Sequence, residues 1–149
     1  METSATVDTI LQIKGCTVWS VTPDVMVFDA IRLMAEKNVG ALLVLEGDRL
    51  AGIVSERDYT RKVALLGKNS RTTAVREILT PAVHHVTLQS SVSDCLGLMT
   101  DKRIRHLPVL HQGRVVGVVS IGDLVNWIMR TQKAAIDQLP AYIAGGYPV

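Results

Sequence analysis

The alternation of hydrophobic and polar residues predicts the same order of elements twice along this chain. In the first half, a short apolar strand is expected at Val18–Val21. It is followed by a helix whose apolar stripe runs from Val27 to Met34 at spacings of three and four residues. The segment GALLVLEGDRLAGIVS then predicts a β-hairpin, because two apolar runs flank a tight turn that contains glycine. A second helix is expected to begin at Ser55.

The second half repeats this order when the sequence is shifted by 65 residues, with no gap between Ile13 and Val63. A strand is expected at Val83–Thr87, a helix from Val92, and a hairpin in RHLPVLHQGRVVGVVS. A last helix is expected from Ser120. Two copies are too few for a solenoid, so the pattern predicts an α+β fold built from two β-α-β-β-α units in a pseudo-two-fold arrangement.

The ends of the copies follow from this alignment. Asp24 and Ser91 stand where helix N-caps are expected. The linker LGKNSRTT is rich in small and polar residues, and VREIL (Val75–Leu79) predicts a short helix before the second copy. The resulting division is a helical lead-in at 1–13, a first unit at 14–66, a linker with a short helix at 67–77, a second unit at 78–130, and a helix end with a tail at 131–149.

Composition narrows the class of protein. The 149-residue chain is 48% hydrophobic and 20% charged, which is typical of a folded globular protein. Its net charge of +2 does not favour nucleic-acid binding, and its apolar runs are too short to span a membrane. The N-terminus lacks the pattern of a secretory signal, so a cytoplasmic protein is expected. Cys16 and Cys95 form no metal or redox motif and are expected to be buried or inert.

One motif ends the last strand of each copy: GIVSERD ends at Asp58 and GVVSIGD at Asp123. Ser and Asp at this spacing are typical of a capping box, in which Ser55 or Ser120 starts a helix and the acid reaches back to it. The same pattern is also typical of a ligand site, because a helix N-terminus attracts phosphate and a carboxylate accepts hydrogen bonds from ribose hydroxyls. Both interpretations remain open at this point, and they are compatible.

Basic residues distinguish the two copies. The segment KRIRH brings Arg103, Arg105 and His106 into the second hairpin, whereas the first copy has KNVGA there. Side chains alternate along a strand, so these residues form either a solvated basic patch or, in part, an anion site. Arg57 lies within SERD, and Gly122 takes its place in SIGD, so two related but unequal sites are predicted.

The sequence contains no recognisable catalytic or metal-binding motif. All four histidines lie in the second copy, and the adjacent His84 and His85 would point to opposite faces of a strand. No nucleophile elbow is present. We therefore expect neither catalytic residues nor a metal.

The duplicated β-α-β-β-α unit, with its last strand ending in G-h-h-S-x-x-D, resembles the CBS domain, and the tandem copies resemble a CBS pair, or Bateman module. The resemblance extends from about Lys14 to Arg130. SERDYTRKV, KRIRHLPVL, VVSIGD and the tail AYIAGGY (Ala141–Tyr147) are similar to small stand-alone bacterial pairs and to plant single-pair proteins. The resemblance implies two units packed through their sheets, with two clefts that hold AMP, ADP, ATP, or NAD(H).

The resemblance also implies roles for particular residues. Asp58 and Asp123 would hold ribose hydroxyls, with Ser55, Ser120 and Arg57 beside ribose and phosphate. The remaining nucleotide-binding candidates fall into four groups. They are two segments that line the adenine pocket, the strand start that closes this pocket, the basic residues of KRIRH, and the glycine that aligns with Arg57 in the repeat. These are Thr17, Val18, Thr80, Pro81, Gly40, Ala41, Leu42, Arg103, Arg105, His106 and Gly122.

The function that the resemblance implies is regulation: adenine-nucleotide binding would modulate an unidentified partner protein, and the chain would form a homodimer. The alternative is an oligomerisation or docking module that works without ligand, using the C-terminal helix and the tail LPAYIAGGYPV. An interaction with nucleic acid or membrane is not expected.

Overall fold

The computed structural model describes residues 5–81 and 84–137, so the tail motif AYIAGGY and Val83 lie outside the described residues. The α-helices are α1 (Val7–Lys14), α2 (Val27–Lys37), α3 (Glu56–Tyr59), α4 (Val92–Lys102) and α5 (Ile121–Asp137). The strands are β1 (Ser20–Val21), β2 (Ala41–Glu46), β3 (Arg49–Ser55), β4 (Thr80–Pro81), β5 (His106–His111) and β6 (Arg114–Ser120). This mixture of helices and strands confirms the predicted α+β class.

The repeat seen in the sequence is also present in the backbone. Helices α2 and α4 each have 11 residues, and each ends at a residue in the left-handed region, Asn38 and Arg103, both with φ of 54°. The hairpins β2–β3 and β5–β6 form where they were predicted. In the second hairpin, Gln112 and Gly113 both have positive φ, which is the backbone of a type I′ turn and matches the twist of the flanking strands.

The chain divides into two compact units that do not coincide with the two copies. We call them the Asp58 unit (described residues 16–81, 84–86 and 108–118) and the Asp123 unit (described residues 5–15, 87–107 and 119–137). Each unit therefore takes segments from both halves of the sequence. Each motif acid lies in a different unit.

The Asp58 unit contains a four-stranded sheet in the order β1-β2-β3-β4. Strand β1 pairs in parallel with β2, and the other neighbours are antiparallel. The sheet and α2 bury an aliphatic cluster, and each fully buried side chain of this kind contributes about 1.5–3 kcal/mol. The cluster consists of Val27, Ala30, Met34, Leu42, Val44, Val54, Val63, Val75 and Ile78.

The Asp123 unit packs α1 and α4 against α5. Helix α1 is fixed at its start by backbone hydrogen bonds, from Val7 N to Ser90 O and from Asp8 N to Leu88 O, at 2.9 and 3.0 Å. Its apolar side consists of Val7, Ile10 and Leu11, which are all buried. These contacts hold Lys14, the last residue of α1, beside α5.

Some predicted details differ in the structure. The first strand is shorter than expected, and its equivalent in the second copy is a single bridge between Val86 and Val109 within the described residues.

The assignment of Asp24 as an N-cap is wrong, because α2 begins after Met26. The first amide groups of α2 instead donate to linker carbonyl groups, Val27 N to Thr73 O at 2.8 Å and Phe28 N to Ser70 O at 3.0 Å. Ser91 is confirmed as a cap, accepting from Asp94 N at 2.9 Å.

The two cysteines differ in their exposure to solvent. Cys95 is buried, and burial raises the pKa of its thiol to about 11, so it is inert as expected. Cys16 is exposed, so of the two expected alternatives, buried or inert, the structure excludes burial for it, and its inertness stays a prediction. It lies in the irregular segment between α1 and β1.

Candidate functional site

The first Ser-x-x-Asp motif forms a complete capping box at the start of α3. Asp58 N donates to Ser55 Oγ at 3.2 Å, and Ser55 N donates back to Asp58 Oδ2 at 3.0 Å. The Ser55 hydroxyl also donates to the same oxygen at 3.0 Å. The capping interpretation of the sequence is therefore confirmed, and it fixes the carboxylate over the first turn of the helix.

The other oxygen of Asp58 is bound by two groups from elsewhere in the chain. Thr80 Oγ1 donates to Asp58 Oδ1 at 3.0 Å, and Lys62 Nζ lies 3.0 Å from the same atom. Lys62 Nζ also donates to Ile78 O at 2.9 Å, so it ties the carboxylate to the segment that leads into β4. The Asp58 side chain is only 11% exposed. Both of its oxygens are thus occupied by donors of the chain itself.

Gly52 makes this arrangement possible. Strand β4 pairs with β3 at Gly52 and Ile53. A Cβ atom on Gly52 would come closer to Thr80 O than real Cβ atoms come, and would lie 2.8 Å from Leu79 Cδ1. Only glycine allows this backbone approach, which places the Thr80 hydroxyl beside Asp58.

The second motif has the same local geometry at the start of α5. Asp123 N donates to Ser120 Oγ at 3.1 Å, and Ser120 N donates to Asp123 Oδ2 at 2.8 Å. The cation here comes from α1, because Lys14 Nζ lies 2.7 Å from Asp123 Oδ2. The Asp123 side chain is 21% exposed, about twice as much as that of Asp58. The described contacts of Asp123 all use one oxygen.

Asp123 and Lys14 border a cleft of about 220 Å³ between α1 and α5. The wall formed by α5 carries Asp123, Asn126, Trp127 and Arg130. These residues are spaced at i, i+3, i+4 and i+7, so they share one face of the helix. The facing wall is Ile10, Ile13 and Lys14. The cleft therefore has an apolar floor with charged groups of both signs beside it.

Trp127 adds a donor without an acceptor. Its indole Nε1 is buried, and within the described part of the chain it has no hydrogen-bond partner. An unsatisfied buried donor costs about 1–3 kcal/mol. A group entering the cleft with an acceptor oxygen would reduce that cost.

His106 belongs to the same electrostatic environment. Its pKa is lowered, and burial is the largest cause. The positive charges of Lys14 and Arg105 lower the pKa further, whereas the negative charge of Asp123 raises it. The Arg105 carbonyl accepts a hydrogen bond from Ile121 N at 2.9 Å, which joins the start of β5 to the start of α5. His106 is thus close enough to Asp123 for its pKa to respond to that charge, and the roles predicted for Arg105 and His106 in nucleotide binding stay predictions.

The remaining predicted site residues lie at varied positions. In the Asp58 unit, Gly40 O accepts from Glu56 N at 3.0 Å, which is the equivalent of the Arg105–Ile121 bond. Leu42 is buried in the core cluster, so its side chain is not available to a ligand. The residues without a described contact to either acid are Thr17, Val18, Ala41, Arg57, Pro81, Arg103 and Gly122. The nucleotide-binding roles predicted for these and for all the other site residues stay predictions.

Sequence reasoning missed Lys14, Lys62, Trp127 and Arg130. Lys62 could have been found, because it follows Asp58 by four residues on a predicted helix, the spacing of a helical ion pair. Lys14 is 109 residues from Asp123, and no local pattern joins them. The repeat register holds a further signal: Lys62 aligns with Trp127, so the second copy has no cation at that position.

No helix within 5–81 and 84–137 is both long and apolar enough to cross a bilayer. In the same ranges, no three His, Cys, Asp or Glu side chains are grouped as metal ligands would be.

Comparison with known proteins agrees with the fold and with the repeated motif. A family model for the CBS domain matches residues 16–65 and 75–130. The mitochondrial CBS domain-containing protein CBSX3 of Arabidopsis thaliana is 39% identical over 154 residues, covering 97% of this chain and 74% of the plant protein. The chain therefore belongs to the CBS-domain family, and it carries two CBS domains in tandem.

Solved structures support the same assignment. A CBS-domain protein of Burkholderia ambifaria MC40-6, proposed to act in signal transduction, is 50% identical with a TM-score of 0.83, covering 86% of this chain and 96% of that one. A hexameric CBS-CP12 protein from bloom-forming cyanobacteria is 26% identical with a TM-score of 0.74, covering 97% and 90%. The resemblance to CBS pairs predicted from the sequence is thus confirmed.

Proposed function

We propose that this CBS pair is a regulatory protein without enzymatic activity that binds an adenine nucleotide and modulates a partner protein. The ligand is AMP, ADP, ATP or NAD(H), and the protein acts in the cytoplasm. The observation that carries the proposal is the repeated placement of a carboxylate in the first turn of a capped helix, beside a lysine. That combination offers acceptors for ribose hydroxyls and a cation for phosphate.

The two sites support this proposal to different degrees. Asp123 borders a cleft and has one oxygen outside its described contacts, so a diol can approach it with little rearrangement. Asp58 must first lose Thr80 or Lys62 from its second oxygen. We therefore expect the site at Asp123 to bind more tightly than the site at Asp58.

Calorimetry with AMP, ADP, ATP, NAD and NADH tests the proposal directly. We expect heat and a thermal shift with at least one of these compounds. We also expect Asp123→Ala to weaken binding by about 1–3 kcal/mol, because a charged hydrogen-bond partner is lost. Asp94→Ala, an exposed acid in the first turn of α4, is the matched control and should bind as the wild type does. Absence of heat and of thermal shift with all five compounds at millimolar concentration would refute the proposal.

A second function is favoured by a separate observation on α5. Val125 and Met129 are one helical turn apart and are 42% and 61% exposed, which is unusual for large apolar side chains on one helix. Such a stripe suits contact with another protein chain. The corresponding proposal is a ligand-independent oligomerisation or docking module, with a homodimer as the simplest assembly, and the hexameric CBS-CP12 relative supports assembly in general.

Mass measurement in solution separates the two proposals. A docking module should keep the same mass with and without nucleotide, and Val125→Ser with Met129→Ser should reduce that mass. If nucleotide changes the mass or the capture of a partner, regulation by ligand is the better description.

A further inference from the structure

Two adjacent leucines are exposed just after α3, in the Asp58 unit. Leu65 is 75% exposed and Leu66 is 64% exposed, the two highest values for large apolar side chains among the described residues. Every residue from 64 to 69 is exposed, so the pair stands on a convex part of the surface and lines no groove. We call residues 60–69 the leucine turn. A contiguous exposed apolar patch of this kind is typical of a contact surface.

The backbone holds the leucine turn in a fixed shape. The chain continues from α3 as a π-helical turn, and Leu65 N donates to Thr60 O at 3.0 Å. Gly67 has a φ of 70°, and after it Lys68 N donates back to Val63 O at 3.0 Å. Val63 belongs to the buried core cluster, so it anchors the turn to the rest of the unit. The exposed leucines are therefore presented by an ordered backbone.

The charges along the leucine turn and the linker after it are positive. No Asp or Glu occurs from 59 to 76, whereas that stretch contains five Lys or Arg residues. Two of the five form ion pairs with acids elsewhere in the chain. The other three, Arg61, Lys68 and Arg71, are exposed and have no carboxylate at salt-bridge distance among the described residues. An apolar tip is thus flanked by positive charge that is not neutralised locally.

An anionic lipid surface suits this combination better than a protein does. A bilayer accepts a protruding apolar side chain without a pocket of matching shape, and its acidic headgroups attract Lys and Arg. A protein partner would need a groove for both leucines with acids along its edge. A second copy of this chain, docked symmetrically through the same surface, would bring like charges together.

We propose that the leucine turn binds the protein to anionic membranes. Leu65 and Leu66 enter the headgroup region, and Arg61 and Lys68 contact acidic headgroups. Two side chains bury little apolar area, so the binding is weak and reversible. The sequence gives no expectation of membrane contact because its apolar runs are too short to span a bilayer, but a protein that lies on the surface needs no spanning segment. The inference does not depend on nucleotide binding.

Co-sedimentation of the full chain with vesicles, without nucleotide, tests the proposal. We expect binding to phosphatidylcholine vesicles that contain about 30% phosphatidylserine, and little binding to pure phosphatidylcholine. Leu65→Ser with Leu66→Ser should lower the partition coefficient by about tenfold or more, because the inserted apolar area is lost. Both leucines are exposed, so this variant should keep the wild-type Tm.

A second variant tests the charges. Arg61→Gln with Lys68→Gln should also lower the partition coefficient, and it should weaken the dependence of binding on salt between about 50 and 300 mM. Trp19→Thr is the matched control, because it removes a large apolar side chain that is 39% exposed and beside Lys37, in the same unit but outside the leucine turn. It should bind vesicles as the wild type does.

Several results would overturn the proposal. Equal binding of the wild type and of the double leucine variant would show that the leucines do not enter the lipid. Equal binding to neutral and anionic vesicles would remove the role of charge, and an equal loss in Trp19→Thr would remove the role of this surface. No binding at low salt would reject membrane contact altogether. If the double leucine variant then had a lower mass in solution, the leucine turn would be a contact between protein chains instead.

Discussion

The sites at Asp58 and Asp123 share one backbone motif, but the lysines that pair with the two acids come from different parts of the chain. Lys62 comes from the same helical segment as its acid, whereas Lys14 comes from a separate helix 109 residues away. In the repeat register, the position of Lys62 is taken by Trp127, and the position of Lys14 is taken by Leu79. Each site thus has one lysine, and both lysines belong to the first copy. The comparison teaches that duplication preserved the helix cap while the surrounding charges diverged.

The carboxylates of Asp58 and Asp123 therefore differ in how accessible they are to a ligand. Thr80, Lys62 and the two groups of Ser55 occupy Asp58, which makes it part of the framework of its unit. Asp123 has fewer described partners and borders a cleft. The same motif is therefore mainly structural in one place and open to a ligand in the other.

The largest expected effect on stability comes from Gly52→Ala, which disrupts the pairing of β3 with β4 beside Asp58. The added methyl group would collide with the Thr80 carbonyl and with Leu79, so β4 must move away from β3. We expect a loss of about 2–3 kcal/mol in the free energy of unfolding, measured by urea denaturation. Gly97→Ala in α4 is the control: among the described residues, no atom outside its chain neighbours and its own helix backbone lies within 4 Å of the added Cβ, and the variant should be neutral or stabilising. Equal effects of the two changes would contradict this account of Gly52.

Asp58→Asn and Asp123→Asn compare the two acids directly. Replacing Asp58 leaves a nearly buried position without the charge that Lys62 requires, and we expect a loss of about 2 kcal/mol. Replacing Asp123 should cost at most about 1 kcal/mol, because the Asp123 side chain is more accessible to water than that of Asp58. Thermal unfolding of both variants measures the difference. A larger loss for Asp123→Asn would show that the roles of the two sites have been assigned the wrong way round.

The smallest effect concerns the protonation of His106. Burial and Lys14 lower its pKa, so the fold binds this proton less well than the unfolded chain does. The stabilising contribution of neutral His106 is complete above its unfolded pKa of about 6.5, and it is lost as the pH falls through that value towards the folded pKa. Lys14→Met should raise the pKa of His106, and Asp123→Asn should lower it further. NMR titration, with His106→Gln to assign the resonance, would detect shifts in opposite directions; shifts in the same direction would contradict the placement of His106 between these two charges.

The parts of the molecule that the sequence predicted well are those set by local rules. The hairpins and the caps at Ser55, Ser91 and Ser120 follow from turn glycines and from Ser-x-x-Asp spacing, which act over a few residues. The wrong N-cap at Asp24 shows the limit of such rules. There the linker carbonyl groups of Ser70 and Thr73 satisfy the helix start, and these groups come from residues distant in sequence.

The helix predicted after Ser55 shows the same limit. A single helix is expected to begin at Ser55, yet α3 has four residues and continues as a π-helical turn from Thr60 to Ala64. Within that segment Lys62 meets Asp58 and Ile78 O, and Val63 enters the core. Tertiary contacts outweigh the small differences in helix propensity here. The pair Lys14–Asp123 was likewise beyond prediction, since it depends on the docking of α1 against α5.

Strand β4 determines whether the two halves of the chain can fold as separate fragments. Thr80 and Pro81 belong to the second copy in sequence, yet they complete the sheet of the first copy by pairing with β3. A fragment cut in the linker after Leu66 would leave β3 as a bare edge, and such edges recruit strands from other molecules. The first CBS motif is therefore not an independent folding module. Fragments divided at that linker should aggregate alone and recover a native fold only when they are mixed.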